Sequence, residues 1–197
     1  MRVEFLIVLA VLGSSSVAVR ANDEAAVSDL AGVYLGAAAT AVNHHFILEE
    51  TSGGVATSRN VTRWGAGGAA IAGINFTPAG KMVLGIQGQL DFGGAAASTE
   101  TAFGRVAIDP RWGYSATARV GYAFSRSSWA YVGGGFGGHR YRTTFPADVE
   151  GLPDWNRSFV LTGGAELPVG KDLRARMEFQ HLDGTRNAFI VGLVVKL

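Results

Sequence analysis

Hydrophobicity in this chain is dealt out in twos. In residues 82–92, Met82, Leu84, Ile86, Gly88, Leu90 and Phe92 fall on one side of an extended backbone, and Val83, Gly85, Gln87, Gln89 and Asp91 fall on the other. A helix would need a period of about 3.6 to hold one face together, so the segment is read as a strand with one greasy and one polar face. The period returns in 111–124, where Trp112, Tyr114, Ala116, Ala118, Val120, Tyr122 and Phe124 oppose Arg111, Gly113, Ser115, Thr117, Arg119 and Gly121. It returns again in 155–167, with Trp155, Phe159, Leu161 and Leu167 against Asn156, Ser158, Thr162 and Glu166. In 173–181, Leu173, Ala175, Met177 and Phe179 stand against Arg174, Arg176, Glu178 and Gln180. The chain is 48% hydrophobic, yet beyond its N-terminus no stretch reaches the roughly 20 apolar residues of a spanning helix. Its 28 glycines are scattered through the apolar segments, which suits strands better than helices, where each costs about 1 kcal/mol.

Three further segments, 31–43, 63–77 and 187–197, are apolar and rich in small residues with weaker alternation. An eighth, 129–142, has its phase blurred by the glycines between Gly133 and Gly138. Short links at 78–81, 125–128 and 168–172 alternate with longer ones at 46–62, 94–109 and 143–154, and a brief one at 183–186. An even strand count with tight turns at one end and loose loops at the other predicts an all-β fold, an eight-stranded antiparallel up-and-down transmembrane β-barrel. Trp112 and Tyr122 would lie about 25 Å apart along the barrel axis, the height of an apolar band between aromatic girdles. Trp64 and Phe76 give about 30 Å by the same measure. The expected girdle comprises Trp64, Phe76, Trp112, Tyr114, Tyr122, Phe124, Trp129, Tyr131 and Trp155. The competing reading makes these rings the core of a water-soluble β-sandwich.

The N-terminus reads as an export signal, with Arg2 as its positive region, an apolar run at 5–12 and small residues from Gly13 onward. Cleavage is expected after Ala21, with Ala18 as the alternative, so 1–21 is a signal peptide and 22–197 a single barrel domain in the bacterial outer membrane. Removing 1–21 takes away Arg2, Arg20 and Glu4, so 17 basic and 16 acidic residues become 15 and 15. A neutral chain without a basic cluster argues against a nucleic-acid partner. With no cysteine, neither a disulfide framework nor a thiolate site is available.

A barrel of eight strands is just wide enough for side chains to fill it. The polar faces send Arg119, Arg174 and Arg176 inward against Asp91, Glu166 and Glu178, and a regular hairpin through 168–172 would set Glu166 opposite Arg174. Isolated charges there would be costly, so a mutually paired structural plug is expected. The functional alternative is a narrow ion path through rearranging salt bridges.

Other motifs carry less. The glycines at 65–73 and 133–138 follow no parallel strand and open no helix, so they are read as spacers and not as phosphate loops. His44 and His45 point to opposite faces, and with His139 and His181 they are read as polar rim residues without chelating spacing. His181, flanked by Glu178 and Asp183, has no nucleophile beside it in the run Gln180, His181, Leu182, Asp183. No catalytic residue, cofactor or metal ligand is therefore assigned. Asn-x-Ser/Thr triplets at Asn60, Asn75 and Asn156 carry no meaning in a bacterium.

Residues 67–94, GGAAIAGINFTPAGKMVLGIQGQLDFGG, resemble the second hairpin of the small porin-family, opacity-type surface proteins of alphaproteobacteria, whose barrels are similar to the OmpA transmembrane domain. Residues 116–138 resemble the central hairpin of that family, and 159–183 its penultimate one. The chain departs from it in carrying His181 where relatives often have tyrosine, and Leu197 where they commonly end in an aromatic residue. The resemblance implies a non-enzymatic, envelope-stabilising protein embedded in outer-membrane lipid and lipopolysaccharide. Its outer loops would then meet a host or extracellular ligand. A narrow solute channel is the alternative function, and a lipid-modifying outer-membrane enzyme the third.

Overall fold

A computed structural model describes residues 28–52, 55–101, 104–144, 155–182, 184 and 186–197. The expected signal segment 1–21, with both cleavage points, lies outside the described residues, as does 145–154 of the expected outer link. The strands are β1 (Gly32–Ser52), β2 (Val55–Phe76), β3 (Met82–Gly93), β4 (Ala97–Thr101), β5 (Gly104–Ala123), β6 (Trp129–Thr144), β7 (Trp155–Pro168), β8 (Leu173–Leu182) and β9 (Arg186–Lys196). All pairings are antiparallel. Neighbours run β3-β2-β1-β9-β8-β7-β6-β5-β4, and the further pairing of β3 with β5 closes a ring of eight strands with β4 as an outer appendage of β5.

Closure leaves no membrane-level edge, which matters because an unpaired N–H or C=O in hydrocarbon costs several kcal/mol. Along β3 the burial alternates residue by residue: Val83, Gln87, Gln89 and Asp91 are buried, and Leu84, Ile86, Leu90 and Phe92 face outward. The lumen has two unlike walls. On β1, β2 and β9 it is mainly apolar, built from Val42, Ala188 and Ile190 and from Tyr34, Ala69, Ile71 and Val194, with Thr40, His44, Asn75 and Arg186 as its polar members. On β3, β5, β7 and β8 it is polar and charged. A 3-10 turn at Ser28–Leu30 closes the short-turn end, where Leu30 packs with Val83, Ala123, Trp129 and Tyr131.

Two expectations for the links are corrected. Residues 46–62 form no loose loop: β1 and β2 stay in register from Gly32↔Asn75 to Ser52↔Val55. Within 94–109, β4 and β5 pair from Ala97↔Ile108 to Thr101↔Gly104. Outside the membrane both faces of a strand meet water, so polar runs such as Thr57, Ser58, Arg59 and Asn60 carry no alternation although their backbone still pairs. The turn after β7 is displaced by one residue from the expected link through 168–172, and its residues outside the β7–β8 pairing are 169–173. Val169 N and Gly170 N both donate to Leu173 O, at 3.0 and 3.1 Å, which sets Glu166 opposite Arg176 and Pro168 opposite Arg174.

Candidate functional site

The plug is organised around Glu166, which is completely buried. Its register partner Arg176 donates to Oε1 through both Nε, at 3.0 Å, and Nη2. Arg174 Nε reaches Oε2 at 2.9 Å from the diagonal position, and Arg119 Nη1 lies 3.8 Å from Oε1. Glu178 accepts from Tyr131 Oη at 2.5 Å and stands 4.0 Å from Arg176 Nη1. Three guanidiniums thus meet two carboxylates, and aromatic faces balance the surplus cation. The Arg119 guanidinium sits 4.7 Å from the Tyr131 ring centre, 5.1 Å from Trp129 and 5.4 Å from Tyr34.

This arrangement corrects two members of the expected girdle. Trp129 and Tyr131 are 0% and 4% exposed and point into the lumen, where they wall the arginines. The phase of β6 was unreadable because the glycines at 133–138 have no side chains to alternate. Of the other expected girdle residues, Trp64, Phe76, Trp112, Tyr114, Tyr122 and Phe124 face outward. Trp155 is partly covered and packs edge-on against Trp112, with ring centres 4.9 Å apart.

Asp91 does not join the Glu166 group. It pairs with Arg186 at 3.0 Å, at the outer end of a hydrogen-bonded column that climbs the inner face of β3. Gln89 donates to Asp91 at 2.9 Å and Gln87 to Gln89 at 3.4 Å, while Gln87 Oε1 accepts from Tyr34 Oη at 3.0 Å and from Arg176. Arg186 also donates to Gln180 at 2.6 Å. The column links the two ionic groups into one network crossing the lumen. Sequence reasoning missed Arg186 because it was placed in the 183–186 link. The signal was faint, since its inward neighbours Ala188 and Ile190 are themselves apolar.

Glycine makes the room for this network. A Cβ on Gly73 would stand 2.2 Å from Tyr34 Oη, and one on Gly133 would stand 2.8 Å from Arg119 Cγ. The large polar groups can lie flat across the lumen only where the facing strand has no side chain.

Above the column the lumen changes character. His44 and His139, read from the sequence as polar rim residues, are buried and meet across the barrel with ring centres 5.1 Å apart. His44 Nδ1 lies 3.1 Å from Tyr141 Oη. Beyond them β1, β2, β4, β5 and β6 rise past the starts of β7 and β9 as a tall wall. Its inner face carries Val106, Ile108 and Tyr141, with Phe46 and Leu48 packed against them. Where β7 begins lower, a cavity of about 670 Å³ opens, lined by Phe46, Ile108, Tyr141, Thr143, Trp155 and Asn156. Among the described residues no group of three or more His, Cys, Asp or Glu side chains is placed to hold a metal ion.

A closed ring of eight antiparallel strands, apolar outside and polar inside, with aromatic rings toward both ends of its outer face, is the architecture of a transmembrane β-barrel. The sequence profile described as the outer membrane protein beta-barrel domain matches residues 7–196, and the chain belongs to this family, whose place is the bacterial outer membrane. No curated protein matches it in sequence. Among solved structures it is similar to Ail, the attachment invasion locus protein of Yersinia pestis, with a TM-score of 0.50 and 11% identity over 85% of this chain and 99% of that one. Neisserial surface protein A is similar with a TM-score of 0.46 and 14% identity, covering 84% of this chain and 97% of that one. At such identities the likeness is one of fold.

Proposed function

We propose that the protein is a non-enzymatic, envelope-stabilising surface barrel that presents its outer hairpins to an extracellular or host ligand. In this reading it stands among the small opacity-type surface proteins of alphaproteobacteria, embedded in lipopolysaccharide. The observation that supports it is the contrast within the lumen: a continuous ionic and hydrogen-bonded network across it, and a tall wall standing above it. A crossed lumen disfavours solute passage, and strands that rise beyond the girdle place recognition surface on a rigid scaffold. Arg59 and Arg63 are exposed on this wall, so a polyanionic glycan is a suitable first probe.

The test is adherence of cells displaying the protein to a heparin-coated surface. The comparison is a variant in which 47–60 is replaced by a two-residue turn joining Phe46 to Val61. Adherence above the vector control should be lost in the variant, while heat-modifiable migration on a detergent gel shows that the barrel still forms. Equal adherence of the two, or none by the wild type, contradicts the reading.

A further inference from the structure

Two histidines that the plug does not use meet at its outer end. His44 on β1 and His139 on β6 are 0% and 2% exposed, and their strands stand on opposite walls, with three strands between them either way round the ring. Each side chain therefore reaches toward the barrel axis with the Cε1–Nε2 edge of its imidazole leading, because that edge lies opposite the bond to Cβ. The ring centres are 5.1 Å apart, with the planes at 53°. Among the described residues neither Nε2 has a hydrogen-bond partner, although both atoms are enclosed. A buried polar nitrogen left in this way is costly, so the two atoms call for a partner that reaches both.

The surroundings orient one ring and leave room beside it. His44 Nδ1 lies 3.1 Å from Tyr141 Oη. With Nδ1–H donating to that hydroxyl, the lone pair of a neutral imidazole is left on Nε2, which is the tautomer a metal ion requires. Gly94 leaves the β3 ladder with a φ of 123°, and a Cβ there would stand 2.9 Å from His44 Nε2. The missing side chain keeps the approach to that nitrogen open. The distance between the rings also suits a shared ion. With Zn–N bonds of about 2.0–2.1 Å each ring centre lies about 3.2 Å from the metal, and a tetrahedral angle between the bonds sets the two centres about 5.2 Å apart.

We propose that His44 and His139 bind a divalent transition-metal ion of the zinc class between their Nε2 atoms, with water completing a tetrahedral shell. Imidazole suits such ions, and a pair of side-chain donors leaves positions for water. The cation that faces this layer is already neutralised: Arg186, the register partner of His44, pairs with Asp91 at 3.0 Å. The cavity lined by Tyr141 opens beyond the pair and supplies the way in. A bound ion ties β1 to β6 across the barrel, at the boundary between the plug and the outer wall.

The test uses the full-length protein, purified without a polyhistidine tag, in lipid nanodiscs. Co2+ is the probe, because its visible d–d absorption is intense only in four-coordinate geometry, and Zn2+ should displace it. The wild type should take up a single tight ion with that spectrum. His44→Gln and His139→Gln should each abolish the spectrum, while His45→Gln combined with His181→Gln should leave it unchanged. Tyr141→Phe keeps both ligands and removes the hydroxyl that orients His44, so it should weaken binding by about tenfold. Heat-modifiable migration verifies that each variant is folded, and the wild-type and Tyr141→Phe measurements decide the matter if a histidine variant does not fold. The assignment is overturned by a wild type that binds no Co2+, by a spectrum that survives loss of either His44 or His139, by one lost with His45 and His181, or by unchanged affinity in Tyr141→Phe.

Discussion

At its periplasmic end the lumen packs Arg119, Arg174, Arg176, Glu166 and Glu178 among Tyr34, Trp129 and Tyr131; at its outer end it offers Phe46, Leu48, Val106, Ile108 and Tyr141 along the tall wall. The first region is closed on itself. Each charge there finds a partner inside the barrel, whether carboxylate, amide or ring face, so the arrangement supports the fold and offers nothing to a visitor. The second region leaves apolar surface beside a cavity, which is how a binding surface differs from a core. One ring of strands therefore separates a stabilising half from the half proposed to carry recognition, with the His44–His139 layer between them.

The largest effect expected from breaking the first region is at Glu166. Its replacement in Glu166→Ala strands three buried guanidiniums and should destabilise the barrel by about 3–5 kcal/mol, read by urea unfolding in lipid vesicles. A smaller loss is expected from Gly73→Val, whose side chain collides with Tyr34 Oη; overpacking of this kind costs about 1–3 kcal/mol in the same assay. The outer half should respond least. Replacing 47–60 with a short turn, as in the adherence test, removes strand that is largely exposed, and unfolding should shift by about 1 kcal/mol or less. A shift as large as that of Glu166→Ala would mean that the outer wall also holds the barrel together and would erase the contrast.

The sequence exposed this division unevenly. Wherever a strand has lipid on one side and the polar lumen on the other, as in β3, β5, β7 and β8, alternation sets the phase. Arg119, Glu166, Arg174, Arg176 and Glu178 could accordingly be placed on inward faces. Two kinds of position stayed hidden. On β6 the glycine run erased the phase, which sent Trp129 and Tyr131 to the girdle instead of the lumen, where they cover Arg119. On the outer wall both faces are wet, so strands continuing for nearly ten residues past Trp64 and its partner Asn43 looked like loops. The pairing of Asp91 with Arg186, and the meeting of His44 with His139, join segments 95 residues apart in sequence, a juxtaposition that follows from ring closure and from no local pattern.

The crossed lumen is tested most directly by the conductance of the purified wild-type protein in a planar bilayer. The network of Glu166, Arg176, Gln87, Gln89, Asp91 and Arg186 predicts a flat current trace at applied voltages of either sign. Glu166→Ala, where it inserts, should give flickering, unresolved openings. Steady, ohmic steps from the wild-type protein would contradict the plugged barrel and return the function to a narrow channel.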